Sequence, residues 1–129
     1  MLKSPSHVTM GASNLENTAR FFQAYGFVRT SDGPISSFAA RELYGLAKAT
    51  SEVLVSMPGA TAGFIRLVQT PAEAVEAGPF DRGAHAVDLY VRHMGEALEV
   101  AKNTHAAIGP VAAYSVGPLT IKECKCVGA

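Results

Sequence analysis

Residues 7–27 read HVTMGASNLENTARFFQAYGF, a pattern that predicts a strand, a capped helix and a glycine turn into a second strand. Ser13 and Glu16 stand three residues apart and predict a capping box, in which each side chain satisfies a backbone N–H of the first helical turn. We expect the helix to end before Gly26, since glycine adopts a left-handed backbone at the least cost. Apolar side chains at helical spacing predict one buried helix face, made of Leu15, Ala19, Phe22 and Tyr25.

The length and charge of the chain indicate a single domain and exclude some classes of binding partner. The 129 residues allow one domain with its own core and not two of ordinary size. Eleven Lys plus Arg balance eleven Asp plus Glu, so the chain lacks the basic surface that nucleic acid requires. No stretch has the length and apolarity of a membrane span, and the N-terminus MLKSPSHVTM has no signal-peptide core. We therefore expect a soluble, cytoplasmic protein whose partners include neither nucleic acid nor membrane.

The first half continues with strands separated by turn residues. Three further strands are predicted, at residues 27–30, 49–57 and 61–70. The last two predict a hairpin around Pro58-Gly59, and the turn residues at 31–34 are expected to end the strand before them. Residues 38–46 are ambiguous and could form a short helical turn.

The second half begins as a repeat of the first. Residues 71–83, rich in Ala, Gly, Pro and acids, predict a linker between a first module of about residues 4–70 and a second of about 84–129. The second module predicts a strand, a helix and two strands, at residues 84–92, 94–104, 111–116 and 119–127. The order β-α-β-β-β is thus followed by β-α-β-β, without a last strand. The missing strand would leave an open sheet edge, and such edges invite pairing with another chain, so we expect a homodimer.

The two modules share a characteristic opening. With HVTMGASNLENTARFFQAYGF in the first and AHAVDLYVRHMGEALEVA in the second, the chain resembles the vicinal oxygen chelate superfamily of glyoxalase I, bleomycin-resistance proteins and extradiol dioxygenases. The resemblance covers almost the whole chain and is strongest at residues 5–28 and 82–101. It implies an α+β fold, in which paired β-α-β-β-β modules form a curled mixed sheet around a cleft for a small molecule.

The metal enzymes of this superfamily take one ligand from the first strand and one from the last strand of each module. The resemblance places His7 at the first of these positions. Arg66 stands at the second, and its guanidinium has no lone pair for a metal ion. Counting the second module against the first places Ala86 rather than His85 at the third, since a shift of one residue reverses the face of a strand. The fourth position needs the strand that the second module lacks.

The favoured hypothesis is therefore metal-independent binding of a small, partly apolar or anionic molecule in the cleft, with no cofactor, as in the bleomycin-resistance branch. No catalytic residue is identified. Arg66 at the centre of the cleft needs either an anionic ligand or a carboxylate partner, for which Asp88 and Glu123 are the candidates. The expected ligand-binding residues are His7, Arg66, Asp88 and Tyr90.

Two alternatives stay open. One is a lyase, isomerase or dioxygenase in which His7, His85 and Glu123 hold one divalent metal ion that acts as a Lewis acid. It requires another register in the second module and a last strand that contains Glu123. The other is an incomplete module that is active only with a partner chain.

Cys124 and Cys126 are the only cysteines. They predict two reduced thiols on one strand face, because alternation places residues i and i+2 together and an extended strand holds them poorly for a disulfide. A Cys-X-Cys pair can also bind a soft metal, although the motif alone is a weak signal for this.

Overall fold

The computed structural model describes residues 7–72 and 87–127. The first half forms a mixed four-stranded sheet with strand order β1-β4-β3-β2, in which β1 is parallel to β4 and the other neighbours are antiparallel. Its elements are β1 (His7–Ala12), α1 (Leu15–Ala24), β2 (Val28–Ile35), α2 (Ser37–Tyr44), β3 (Thr50–Ser56) and β4 (Phe64–Gln69). Because β1 and β2 lie at opposite edges, α1 connects the two sides of the sheet. Most of the predicted linker, from residue 73 on, lies outside the described residues.

Helix α1 is capped differently from the prediction. Asn14 is the N-cap, and its side chain accepts a hydrogen bond of 3.0 Å from the Asn17 N–H. The Ser13 carbonyl instead accepts a bond of 2.7 Å from the side-chain amide of Gln69, at the end of β4. The oxygen of that amide accepts the Leu15 N–H at 3.2 Å. The backbone groups of Ser13 and Leu15 therefore find their hydrogen-bond partner in a strand residue distant in sequence. The predicted Ser13–Glu16 capping box is wrong.

The predicted buried face of α1 is confirmed for Leu15, Ala19 and Phe22, whereas Tyr25 is half-buried and stands at the C-cap after the helix. Leu15, Ala19 and Phe22 are buried, and they pack against side chains of the two central strands. Those side chains are Val53 and Val55 of β3 and Ile65 and Leu67 of β4. Since side chains alternate along a strand, the intervening residues of β3 and β4 lie on the other face of the sheet, which we call the open face.

Strand β2 runs through the residues that were predicted to end it. Ser31-Asp32-Gly33-Pro34 continue the antiparallel ladder with β3, after a shift of register between Arg29 and Ser31. Pro34 is tolerated because β2 is an edge strand, where a missing N–H need not break a ladder on both sides. Pairing with β3 therefore overrides the local turn preference of this segment, and the predicted break is wrong.

The ambiguous residues 38–46 lie largely in α2. Ser36 caps it by accepting the Ala39 N–H at 3.2 Å, and Gly45 ends it with a left-handed φ of 68°. Ala40 of this helix is fully buried and packs with Ile35 and Val68. Helix α2 thereby covers one part of the open face and leaves the rest accessible.

The described part of the second half contains one helix and a broken hairpin. Its elements are α3 (Met94–Asn103), β5 (Ala107–Ile108), β6 (Ala112–Val116), β7 (Leu119–Glu123) and β8 (Cys126–Val127). Strand β5 pairs with β8 and β6 with β7, both antiparallel, and the predicted turn at Gly117-Pro118 is confirmed. Between the pairs Ile108–Cys126 and Ala112–Glu123, one strand has three residues and the other two. This extra residue forms a bulge in a single long hairpin.

The two halves show the same geometry where their first helices end. Gly26 follows α1 with a φ of 91°, and His105 follows α3 with a φ of 60°. In both places the next N–H bonds to the carbonyl five residues earlier, at 3.2 and 3.1 Å. The following strands therefore correspond: β5 and β6 together to β2, and β7 and β8 together to β3. Among the described residues of the second half there is no counterpart of β4.

Residues 87–92 do not form the predicted strand. In the repeat these residues correspond to β1, which pairs with β4 alone in the four-stranded sheet. Since the described residues of the second half contain no counterpart of β4, residues 87–92 have no strand there to pair with. Val87 and Leu89 nevertheless pack against the core around α1, whereas Asp88, Tyr90 and Val91 are exposed. The two halves are also joined by the Tyr25 hydroxyl, which donates to the Ala97 carbonyl at 2.8 Å. No helix of the described chain has the length and apolarity to cross a membrane.

The left-handed His105 yields a test of the repeat. Replacing His105 by Gly should stabilise the protein by about 0.5–1 kcal/mol, since the side chain disfavours this conformation by about 1–2 kcal/mol and glycine offsets part of the gain through its unfolded-state entropy. Asn103→Gly is the matched control within α3 and should destabilise slightly, by about 0.3 kcal/mol, the difference in helix propensity between Asn and Gly. Urea unfolding followed by circular dichroism measures both. A loss of stability in His105→Gly would contradict the proposed equivalence with Gly26.

Candidate functional site: a groove on the open face

Strand β1 contributes its polar side to the open face. Met10 and Ala12 belong to the core around α1, so alternation places His7, Thr9 and Gly11 on the opposite side. His7 is exposed, and its backbone lies beside Phe64 of β4 in the parallel ladder.

A cavity of about 470 Å³ lies where α2 overhangs this face. Its lining combines aliphatic side chains with hydroxyl groups, and comprises Thr9, Gly11, Leu43, Tyr44, Leu46, Val68 and Thr70. A second cavity of about 350 Å³ adjoins it, with Leu46 and Thr70 in both linings. Together they form what we call the groove, bounded by α2 and the residues after it on one side and by β1 and β4 on the other.

Arg66 places a positive charge beside the groove. Its backbone lies between Thr9 of β1 and Leu54 of β3, at the centre of the sheet. One terminal nitrogen donates to the hydroxyl of Tyr44, which lines the cavity, at 3.4 Å. The Nε atom lies 3.5 Å from a carboxylate oxygen of Glu52 and makes no hydrogen bond within the described residues. Both side chains are about one third exposed, at 31% and 33%.

The carboxylate partner of Arg66 is Glu52, and neither Asp88 nor Glu123 as predicted. Glu52 and Arg66 are diagonal neighbours on the β3–β4 hairpin, because Glu52 pairs with Val68 and Leu54 with Arg66. The hydrogen bond to Tyr44 raises the pKa of Arg66, burial opposes this, and the negative charge of Glu52 raises the pKa further. The guanidinium is therefore a permanent cation at the rim of the groove.

Three other predicted residues gather elsewhere. The Tyr114 hydroxyl donates to a carboxylate oxygen of Glu123 at 2.8 Å, within the β6–β7 hairpin. This hydrogen bond raises the pKa of Tyr114, as do burial, the charge of Glu123 and then the nearby Tyr90 and Asp88. Glu123 thus contacts Tyr114, and Asp88 and Tyr90 lie near enough for their charges to act on it, on an exposed surface where Tyr90 is 97% accessible. In this chain they form a group separate from Arg66 and its two partners.

The residues of the metal-binding alternative are only partly described. Within residues 7–72 and 87–127, no three His, Cys, Asp or Glu side chains come together as a metal-ligand group. His85 and the competing Ala86 lie outside these ranges. Glu123 lies on β7, which corresponds to β3, whereas the alternative needs a carboxylate on the counterpart of β4.

Sequence reasoning missed Tyr44 and Glu52 as neighbours of Arg66. Glu52 could have been found by pairing the predicted β3–β4 hairpin, since opposite charges two positions apart across a hairpin are within reach. Tyr44 had no such signal, because α2 was ambiguous and its position over the sheet depends on the burial of Ala40.

Comparison with known proteins supports the fold. No family model matches the sequence, and no curated protein matches it. The solved structure of a glyoxalase family protein from Bacillus cereus is similar, with a TM-score of 0.71 and 18% sequence identity over 99% of this chain and 97% of that chain. At this identity the likeness shows the fold alone. The chain therefore has the α+β, glyoxalase-like fold that the resemblance implied.

Gly11 allows the close approach of β1 to Thr70 in the groove. A Cβ atom at Gly11 would lie 2.8 Å from the Thr70 Cγ2, whereas one at Gly33 would meet nothing within 4 Å. Gly11→Ala should therefore destabilise the protein by about 1–3 kcal/mol through overpacking. The matched Gly33→Ala, also in a strand, should stay within about 0.5 kcal/mol of the parent or gain slightly. Equal urea midpoints for the two variants would contradict this prediction, because they would mean that the Thr70 side chain moves aside without loss of stability.

Proposed function

We propose that the protein is a member of the glyoxalase and bleomycin-resistance group that binds a small, partly apolar carboxylate in the groove, without a metal ion. The observation that carries this proposal is Arg66, a permanent cation at the centre of the open face and beside a cavity of about 470 Å³. The fold shared with a glyoxalase family protein supports the use of this face for a small molecule.

Arg66 retains hydrogen-bonding capacity for an anion. A guanidinium carries five N–H donors in a fixed fork, and a carboxylate can accept two of them side by side. The described contacts of Arg66 are one hydrogen bond to Tyr44 and an ion pair with Glu52 in which Nε donates no hydrogen bond. A bound carboxylate would accept hydrogen bonds from two of the terminal N–H donors that remain, with Tyr44 and Glu52 holding the guanidinium in place.

The groove also accepts an apolar body. Leu43, Leu46 and Val68 line it, and Leu43 is 68% exposed, so a ligand would remove apolar surface from water. Burial of such surface contributes about 25 cal/mol per Å². Thr9 and Thr70 supply hydroxyl groups at the same wall, and His7 lies further along the same side of β1. A flat or branched apolar acid suits this combination better than a highly charged metabolite.

A probe pair tests the charge requirement. Benzoate should bind in the groove, and the neutral benzamide should bind at least about 10-fold more weakly, because a hydrogen bond to a charged group contributes about 1.5–3 kcal/mol. Arg66→Met should remove this preference. Arg29→Met is the matched control. Arg29 also pairs with a carboxylate, that of Glu16 on α1, at 2.8 Å, and neither residue lines the groove. Chemical shifts of labelled protein titrated with each probe measure the affinities.

The loss of benzoate affinity expected in Arg66→Met has two possible causes, the missing guanidinium and repulsion of benzoate by the unpaired Glu52 carboxylate. The double variant Arg66→Met with Glu52→Gln carries no unpaired carboxylate, and it should bind benzoate as weakly as the single variant. Treatment of the parent protein with a chelator should leave benzoate binding unchanged. Binding that depends on metal and on His7 would instead support the alternative with His7, His85 and Glu123.

We also propose a homodimer in the cytoplasm, formed through the β6–β7 hairpin. A two-stranded hairpin is marginal by itself, and this one exposes apolar side chains, namely Tyr114, Val116 and Leu119. The outer edge of β7 has no strand partner among the described residues. A second copy is the expected occupant, because eleven positive and eleven negative side chains leave no net repulsion between copies.

Sedimentation equilibrium tests the dimer. The parent protein should sediment as a dimer at micromolar concentration, and Leu119→Glu should shift it to the monomer, because it places a charge on the proposed contact. Thr61→Glu, in the exposed turn between β3 and β4, is the control and should remain dimeric. A monomeric parent protein, or a dimeric Leu119→Glu variant, would contradict the proposed interface.

A further inference from the structure

We propose that the ligand of the groove is a dicarboxylate with its two acid groups at opposite ends of an apolar body, and that Lys48 binds the acid group that does not meet Arg66. This ligand class rests on the proposed function, from which it takes Arg66 and the first acid group. It adds a second acid group, and it gives a role to the second cavity of the groove, which a ligand as small as benzoate does not need.

The second cavity continues the groove along β4, away from Arg66. Leu46 and Thr70 line both cavities, and Thr70 follows Arg66 by four residues, directly after β4. Since a strand advances about 3.3 Å per residue, the Cα atoms of Arg66 and Thr70 are about 13 Å apart. Thr70 stays beside β1 because its N–H donates to the Ala12 carbonyl at 2.9 Å. A ligand that meets Arg66 and also enters the second cavity must therefore be long.

Lys48 supplies the positive charge of the second cavity. Among the described residues that line the two cavities, it is the only charged one, so no carboxylate of the lining competes for its ammonium. Lys48 is exposed, and it forms no ion pair within residues 7–72 and 87–127. An ammonium on a flexible four-carbon stem can turn towards a group that enters the cavity.

Most other polar side chains of this cavity are occupied by the fold. The Thr50 hydroxyl donates to the Gln69 carbonyl at 2.6 Å. The side-chain nitrogen of Gln69 donates to the carbonyls of Ser13 and Thr70, at 2.7 and 3.1 Å. The Lys48 ammonium and the Thr70 hydroxyl remain for a ligand. An ammonium has three donors and no acceptor, and a hydroxyl can also donate, so a carboxylate suits this pair.

The walls between the two cations are largely apolar. Their aliphatic residues are Leu43, Leu46, Val68, Ala47, Ala49 and Pro71. A charged group in the middle of the ligand would lose water against these walls without gaining a partner, so the acid groups belong at the two ends. An extended chain advances about 1.2 Å per bond, which separates the carboxyl carbons of decanedioate by about 11 Å and those of hexanedioate by about 6 Å.

Decanedioate and its monomethyl ester test the second acid group, because they differ in charge and hardly in length. Decanedioate should bind about 3- to 10-fold more tightly. A factor of about two is statistical, since either end can meet Arg66, and the rest is the contribution of an exposed ion pair. Lys48→Met should lower this ratio to about two. Chemical shifts of labelled protein measure the affinities and show that each variant is folded.

Lys102→Met is the matched control for the loss of a positive charge. Lys102 is an exposed lysine of α3 that lines neither cavity, and it pairs with Glu99 at 2.6 Å. This variant should keep the ratio of the parent protein. A ratio that falls equally in Lys48→Met and Lys102→Met would overturn the assignment of Lys48, because it would show that only the net charge matters.

The length of the ligand gives a second test that requires no variant. Hexanedioate is too short to meet both cations, so it should bind the parent protein only about twofold more tightly than its own monomethyl ester, the statistical factor. A ratio as large as that of decanedioate would overturn the proposal, since it would indicate a general attraction of dianions.

The outcomes separate the dicarboxylate from the proposed function. Arg66-dependent benzoate binding, together with a decanedioate ratio of about two in the parent protein or one that Lys48→Met leaves unchanged, would overturn the dicarboxylate alone. Benzoate binding that does not depend on Arg66 would overturn both.

Discussion

The parallel pairing of β1 with β4 is the constraint on which the rest of the structure depends. It closes the sheet after α1 has crossed from one edge to the other, so the chain before the helix and the last strand of the module meet. The same contact brings Gln69 to the start of α1, where its amide bonds to Ser13 and Leu15. Where this pairing has no counterpart, as at residues 87–92, the extended segment does not become a strand although its apolar residues still face the core.

The sheet that results has two faces with different chemistry. One is packed against α1 through Val53 and Val55 of β3 and Ile65 and Leu67 of β4, so it contributes stability. The other is partly covered by α2 and presents Arg66 at the centre of the sheet. Its guanidinium can bind an anion, which an aliphatic side chain at this position could not do. Glu52 and Tyr44 keep this cation in place at the rim of an apolar cavity. The proposed binding of an apolar carboxylate follows from that combination.

Much of the fold could be predicted because its signals are local. The spacing of Leu15, Ala19 and Phe22 identified the buried helix face, and the turns at Pro58-Gly59 and Gly117-Pro118 identified two hairpins. Predictions that depended on a partner distant in sequence failed: the helix cap passed from Ser13 to Asn14 and Gln69, and β2 continued through its turn residues. In each case a hydrogen bond from another strand outweighed the local preference.

The candidate site divides in the same way. The family resemblance assigned His7 and Arg66 to the cleft-facing side of their strands, and counting the repeat predicted that the second half would stop one strand early. The pairing of Arg66 with Glu52 and the contact of Glu123 with Tyr114 were decided by tertiary structure. The physical reason is that alternation specifies which face a side chain occupies, whereas the register between strands, and the helix packed over them, specify which side chain it meets.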